Sequence, residues 1–313
     1  MMWKWINIVP PDTKIDFIGK RRLSLGISMV LFTVAILSLL FQGLNFGIDF
    51  RGGILIQAHI EPAPRMADLR AKLNALELGD VSLQEFGEPT EILIRVQAAE
   101  ETEEEQNRVI GAMKDALASD VEFRRTEFVG PKVGAELIRA GIMATVLALV
   151  GISIYVWFRF EWQFGMGALI STIHDIVTTV GLFSLLQLEF DLTTVAAVLT
   201  VAGYSINDTV VIYDRIRENM RKYKKMSITE LINRANNETL SRSVITHLTT
   251  LLAVLALLFF GGEIIRGFAI AMVWGIFVGA YSSVFVAAPI LVYFNLRPEP
   301  PPGSEPAVAR EAA

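Results

Sequence analysis

The chain has 313 residues, 52% of them apolar, with a formal net charge of −5 and no cysteine. A mean hydropathy of +0.46 is too high for an ordinary water-soluble domain and places the chain among membrane proteins. The missing cysteines exclude disulfides, thiolate catalysis and cysteine metal sites, and a net charge averaged over two sides of a membrane says little about partners.

Residues 1–22 form a leader carrying Lys4, Lys14, Lys20, Arg21 and Arg22. Residues 23–43 are the first of six stretches that reach the roughly 20 apolar residues a bilayer span needs. The others are 138–158, 163–187, 191–213, 243–261 and 265–294. The first stretch is too long for the apolar part of a signal peptide. Gln42-Gly43-Leu44-Asn45 is also not a small-x-small cleavage site, so the span is read as retained.

Residues 44–137 are long enough for one small soluble domain. Ile54, Ile56, Ala58 and Ile60 alternate with Leu55, Gln57 and His59, which predicts a strand. Met66, Leu69, Leu73 and Leu76 follow at helical spacing. Val81 and Leu83 begin a second strand, and Glu88-Pro89-Thr90 turns into a third at Ile92, Ile94 and Val96. Thr102 to Glu105 reads as a capping box, and Ile110, Met113 and Leu117 as the stripe of the helix it opens. Val121 to Val129 is a fourth strand. The order β-α-β-β-α-β predicts a ferredoxin-like α+β domain between the first two of six transmembrane helices, a fold that by itself names no function.

Charge sets the orientation. The segment 214–242 carries Arg215, Arg217, Arg221, Lys222, Lys224, Lys225, Arg234 and Arg242, whereas Leu188–Asp191 and Gly261–Arg266 are nearly free of Lys and Arg. The positive-inside rule puts both termini and 214–242 in the cytoplasm and 44–137 outside. Ile228, Leu231 and Ile232 make an apolar helical face within the basic segment. Its cations are read first as topology anchors, with anionic lipid, an RNA-rich surface or a partner as the other uses. The tail 295–313 is rich in Pro, Glu and Ala and reads as disordered.

Three spans carry polar stripes. Ser171, His174, Asp175 and Thr178 share one face of span three. Tyr204, Ser205 and Asp208 cluster on span four with Asn207 beside them. At the head of span five, Arg242, Thr246 and Thr249 share a face, and Ser243, His247 and Thr250 share the adjoining one. Asp208 stands out, because a carboxylate in hydrocarbon is costly and rarely there without a use. It lies 17 residues from the outer end of its span, which at about 1.5 Å per residue brings it toward the cytoplasmic side. Arg242 enters from that side, at similar depth. An aspartate facing an arginine has two states, neutral and released or ionised and paired, and switching between them moves a proton. The bland alternative is a permanent ion pair that fixes helix register. For His174-Asp175, proton handling and a satisfied polar patch are both open. His247 reads as an interfacial histidine and His59 as an exposed strand residue. No phosphate loop, HExxH zinc pair or GxSxG elbow occurs. The reading is therefore no enzyme, no cofactor and no metal, and the substrate-binding residues stay unassigned.

Four motifs carry a resemblance. Phe46-Gly-Ile-Asp-Phe-Arg-Gly-Gly53, Glu127-Phe-Val-Gly-Pro-Lys-Val-Gly134, Phe158-Arg-Phe-Glu-Trp162 and Gly203-Tyr-Ser-Ile-Asn-Asp-Thr-Val-Val-Ile-Tyr-Asp-Arg-Ile-Arg-Glu-Asn219 resemble the SecF branch of the SecD/SecF protein-export family. That family belongs to the resistance-nodulation-division superfamily. The resemblance runs in order from span one to span six. It implies a multi-pass protein of the bacterial inner membrane that works with SecD beside the SecYEG translocon. It also implies use of the proton motive force on translocating preproteins, with YajC and YidC as further partners and no nucleic acid. By the same resemblance Asp208 is the intramembrane carboxylate, Arg242 its partner arginine and His174-Asp175 the pair on span three. Asn207 and Thr246 complete the expected proton pathway. Half of a proton-coupled small-molecule or lipid exporter is the alternative function, and a passive scaffold would need none of the intramembrane charge.

Overall fold

The computed structural model describes residues 10, 13–76, 78, 81–96, 103–117, 121–294 and 296. Lys4, the capping box that rests on Thr102 and the Pro-rich tail from 298 lie outside the described residues. Six helices among the described residues are long and apolar enough to cross a membrane. They are Arg21–Phe41 (α1), Pro131–Arg159 (α5), Trp162–Leu186 (α6), Leu192–Lys222 (α7), Ile228–Phe260 (α8), and Arg266–Ser282 (α9) continued by Ala288–Tyr293 (α10). The elements between α1 and α5 are Asn45–Phe46 (β1), Ile48–Arg51 (α2), Gly53–Ile60 (β2), Met66–Asn74 (α3), Val81–Phe86 (β3), Glu88–Val96 (β4), Glu103–Leu117 (α4) and Val121–Val129 (β5). Glu189–Phe190 (β6) joins α6 to α7.

Two helices outrun the bilayer. At 31 and 33 residues, α7 and α8 reach about 46 and 50 Å against a hydrocarbon core of about 30 Å. Most of the basic 214–242 segment is therefore helix, and the chain reverses only across Tyr223–Ser227. Both turns are capped by the sequence. Ser227 and Glu230 form a reciprocal capping box at the head of α8. At the head of α7, Asp191 accepts from the Thr194 N–H at 2.7 Å. Leu231 and Ile232 are fully buried, and the cluster of Ile232 joins Ile18 of the leader to Ile216, Tyr213, Phe164 and Ala287.

α7 sits at the centre of the bundle, against α6, α8, α9 and α5. Its approach to α9 is close because Gly275 and Gly279 present no side chain there. A Cβ on Gly279 would stand 3.1 Å from Cβ of Ser205, and one on Gly275 would collide with Val201. Spacing of small residues by four is how apolar helices pack tightly in lipid. The last span is not uniform. Between α9 and α10 the backbone widens into a π-helical turn, Ser283–Ala287, and such turns often mark functional positions.

The domain between α1 and α5 follows the expected order β-α-β-β-α-β. Its four strands are antiparallel in the order β3-β4-β2-β5. One sheet face packs Ile54, Ile56, Ala58, Ile92, Ile94 and Val96 against Leu69, Leu73, Val109, Met113 and Leu117 of α3 and α4. The other face carries Gln57, His59 and Glu91. His59 is not the exposed residue expected. Glu91 stands directly opposite it in the β2–β4 register, and His59 Nδ1 lies 2.9 Å from the Glu91 carboxylate and Nε2 3.3 Å from Glu61.

The domain is tied to the bundle by a compact linker. β1 pairs in parallel with β6, and Phe46, Phe50, Phe183 and Phe190 pack edge to face or stacked around that ladder. Gly52 and Gly53 have φ of 71° and 121°, in the region that glycine enters freely and bulkier residues avoid. Asp49 accepts a hydrogen bond from the Leu192 N–H at 2.9 Å, so the first turn of α7 is held by a carboxylate from the linker as well as by its own Asp191. Arg95 of β4 pairs with Glu189. Burial nonetheless pushes the Glu189 carboxyl up, with Arg95 opposing that shift.

Candidate functional site

Two aspartates lie buried on neighbouring helices, and their surroundings differ. Asp175 on α6 is wholly buried. Its Oδ2 accepts from Ser205 Oγ of α7 at 2.5 Å and from Ser282 Oγ at the end of α9 at 2.7 Å. Its Oδ1 lies 3.0 Å from His174 Nδ1. Three helices converge on this one carboxylate. The His174 ring stacks on Phe32 of α1 with centroids 6.2 Å apart, and its Nε2 has no hydrogen-bond partner among the described residues.

Asp208 lies one turn beyond Ser205 on α7 and is 8% exposed. Its Oδ1 accepts from Ser243 Oγ of α8 at 2.6 Å. Its Oδ2 is buried and has no hydrogen-bond partner among the described residues. A buried carboxylate oxygen left unpaired is costly, so this one is set up for a proton or for a donor from outside the chain. Arg242 and His247 are the basic side chains within electrostatic reach. Arg242 is exposed and forms no ion pair with Asp208 among the described residues. The pairing expected from depth alone is thus replaced by Ser243. Successive helical residues project about 100° apart, so the residue that faces α7 is Ser243 and its neighbour Arg242 looks away from the chain.

The remaining expected residues are spread around this pair. Thr246 returns its hydroxyl to the Arg242 carbonyl at 2.8 Å, and its own carbonyl accepts from Tyr204 Oη at 3.1 Å. Tyr204 also reaches Thr250 at 3.2 Å and meets the His247 ring edge-on at 5.4 Å. Asn207 is exposed and joins none of these contacts. Ser171, one turn before His174 on α6, is buried, and its hydroxyl has no hydrogen-bond partner among the described residues.

Span six, which showed no polar stripe in the sequence, contributes Ser282 and Ser283. Ser282 binds Asp175. Ser283, in the π turn, sits 2.9 Å from Thr209 Oγ1 and 3.4 Å from the Ser205 carbonyl. The spacing Gly275-x3-Gly279-x3-Ser283 is the signal that marks this face of the span as packed on a neighbour. Asp49 was likewise legible only as part of a motif; its contact with α7 crosses 143 positions of chain. The arrangement holds two carboxylates, two histidines with free ring nitrogens and a line of hydroxyls within the membrane-spanning part. Within that set the oxygens of Asp175 both have close neighbours, whereas among the described residues Asp208 Oδ2 has none. No cluster of potential metal ligands occurs among the described residues.

Residues 109–297 match the family model described as protein export membrane protein SecD/SecF, C-terminal, and residues 37–63 match the SecD/SecF GG motif. A protein translocase subunit SecF from Rickettsia rickettsii is 46% identical over 293 residues, covering 92% of this chain and 94% of that one. The protein of the same description from Cereibacter sphaeroides is 44% identical over 300 residues, covering 93% of each. A crystal structure of SecDF, a translocon-associated membrane protein from Thermus thermophilus, superposes with a TM-score of 0.83 at 37% identity. It covers 95% of this chain, which spans 40% of that longer one. A SecDF structure in a super-membrane-facing form superposes less well, with a TM-score of 0.68 at 36% identity.

Proposed function

The chain belongs to the SecD/SecF family of protein export membrane proteins, and we propose that it is an accessory subunit of the Sec translocon that couples proton movement to protein export in partnership with SecD. It acts as a multi-pass protein of the bacterial inner membrane, with both termini, the end of α7 and the start of α8 cytoplasmic. The domain from β2 to β5 is periplasmic and ferredoxin-like, a reading supported by its strand order β3-β4-β2-β5.

The observation that carries the reading is Asp208, a buried carboxylate with one oxygen held by Ser243 and the other unpaired. Protonated, it is neutral and tolerated at this depth. Ionised, it needs a cation, and Arg242 is the exposed guanidinium on the adjoining helix. Rotating α8 by one residue would exchange Ser243 for Arg242 opposite Asp208, so loading and unloading a proton selects between two helix packings. Motion of α7 reaches the outer domain through Asp49 and β6, which hold its first turn. A unit charge crossing 100 mV releases about 2.3 kcal/mol, enough to bias such a two-state element. SecD covers the open face of Arg242, and the SecYEG channel, YajC, YidC and the preprotein complete the assembly. The chain works without cofactor and catalyses no covalent step. The exporter alternative is less favoured, because the family matched is one of protein export membrane proteins and the domain between β2 and β5 is small.

The test is late-stage translocation into inverted vesicles, with and without a proton gradient. Asp208→Asn keeps shape and assembly and removes the exchangeable proton, so gradient stimulation disappears. Arg242→Ala also fails, and Asp208→Glu retains part of the activity. Gradient stimulation of Asp208→Asn equal to the parent's would reduce Asp208 to a register-fixing residue.

A further inference from the structure

The end of the bundle away from the β1–β6 ladder has a feature that proton coupling does not use. The last turns of α7 run past the end of α5 and leave a concavity of about 580 Å³ between them. It is lined by Arg159, Asp214, Arg217, Glu218, Arg221 and Lys222. Its two acids are already engaged. Asp214 holds Arg159 at 3.0 Å, and Glu218 pairs with Arg215 at 2.6 Å. Arg217 donates to the Arg159 carbonyl at 3.2 Å, which orients its guanidinium without neutralising it. Arg221 and Lys222 are exposed and have no ion-pair partner among the described residues. Three cations therefore face one recess with no protein anion left to satisfy them.

The surroundings fix the depth of that recess. Trp157, Phe158 and Trp162 are 68%, 96% and 54% exposed beside Arg159, and aromatic residues at span ends sit at headgroup level. Directly below, α5 turns Ile154 and Tyr155 outward, giving acyl chains an apolar surface. Topology anchoring needs only a number of charges; it does not need a recess with an oriented arginine fork.

We propose that the recess between the ends of α5 and α7 is a binding site for the phosphate headgroup of an anionic phospholipid. Arg217 and Arg221 offer planar forks that match phosphate oxygens, and Lys222 adds a point charge. The Arg159–Asp214 pair is the wall that holds the two helix ends apart. The aromatic rim commits the site to a lipid and not to free phosphate in water. The exposed Trp157 and Phe158 beside the recess suit a lipid and its acyl chains better than a nucleic acid or an acidic peptide. The inference is independent of the role given to Asp208 and requires only that α5 and α7 cross the bilayer.

The experiment is native mass spectrometry of the full chain, purified with its partner, from nanodiscs holding equal phosphatidylglycerol and phosphatidylcholine. The parent retains phosphatidylglycerol at least tenfold over phosphatidylcholine. Each positive charge removed lowers that preference about fivefold, so Arg217→Gln, Arg221→Gln and Lys222→Gln together abolish it. A control that removes equal charge from the same end of the bundle, Lys20→Gln, Arg22→Gln and Lys225→Gln, retains it. No preference in the parent, equal loss in the control, or displacement of the lipid by inorganic phosphate would each overturn the proposal. So would binding of RNA or an acidic peptide by a parent that retains no phosphatidylglycerol.

Discussion

Asp175 and Asp208 are the same side chain at the centre of the same bundle, and they are held in opposite ways. Asp175 accepts from two hydroxyls on two other helices and lies against His174. Asp208 accepts from Ser243 alone and keeps one oxygen unpaired. A carboxylate whose contacts are all filled ties α6, α7 and α9 into one packing. One that is half filled leaves α7 and α8 a choice. On the proposed coupling, the difference separates the part of the bundle that stays fixed from the part that switches, and single substitutions can break each side of it.

The largest expected effect is at Asp175. Asp175→Ala removes the acceptor from Ser205 and Ser282 together and opens a cavity where three helices meet. Two hydroxyls lose their buried partner, and we expect a loss of about 2–4 kcal/mol. It should appear as a lower thermal midpoint and poor accumulation of the complex in membranes. A parent-like midpoint would mean the three-helix junction is not held by this carboxylate. Ser243→Ala should cost about 1 kcal/mol of stability but change gradient-dependent export several-fold, because Asp208 then has no donor in the chain. If Ser243→Ala is silent in export while Arg242→Ala is not, the serine is only packing.

The two ends of α7 sharpen the comparison. Asp49→Ala removes the linker's hydrogen bond to the first turn, and a lost helix cap costs about 1 kcal/mol. We expect faster proteolysis between the β2–β5 domain and the bundle, with the domain itself intact. Unchanged cleavage would show that the β1–β6 ladder and the Arg95–Glu189 pair suffice. The smallest effect is at the leader. Asp16 caps the Gly19 N–H at 2.8 Å and accepts from Asn233 of α8 at 2.8 Å, contacts that hold its carboxyl below the usual carboxylate range. A folded-state value that is depressed gives stabilisation that is present above the unfolded value and lost as pH falls through the folded one. Acidification below about pH 4 should loosen residues 13–18 from α8. Hydrogen exchange at Phe17 and Ile18, whose N–H groups Asn233 accepts at 2.9 Å each, measures this. Exchange there that ignores pH, beyond the intrinsic dependence, would count against it.

Much of this arrangement could be read from the sequence, and the misses share a cause. Apolar runs of span length have no stable place except lipid, so the six helices were legible. Alternation in residues 54–60 and the stripes at 66–76 and 110–117 made the order of the β2–β5 domain legible too. The helix ends at 222 and 228 were not, because an apolar window stops where hydrocarbon stops while backbone hydrogen bonding continues into water. Helical faces assigned by spacing are about 100° wide, which cannot distinguish Ser243 from Arg242 as the residue opposite Asp208. Ser282 and Ser283 were hidden because two hydroxyls barely dent the hydropathy of a 30-residue apolar stretch. His59 was misplaced because its partner Glu91 lies 32 positions away, across a strand register that composition does not contain.

The claim at the centre is that Asp208 exchanges a proton and Asp175 does not. Infrared difference spectroscopy on the reconstituted complex, with a proton gradient switched on and off, reads carboxyl protonation directly. The account predicts one carboxyl band that responds to the gradient, disappears in Asp208→Asn and survives in Asp175→Asn. A band that survives in Asp208→Asn, or one that disappears in Asp175→Asn, would contradict it.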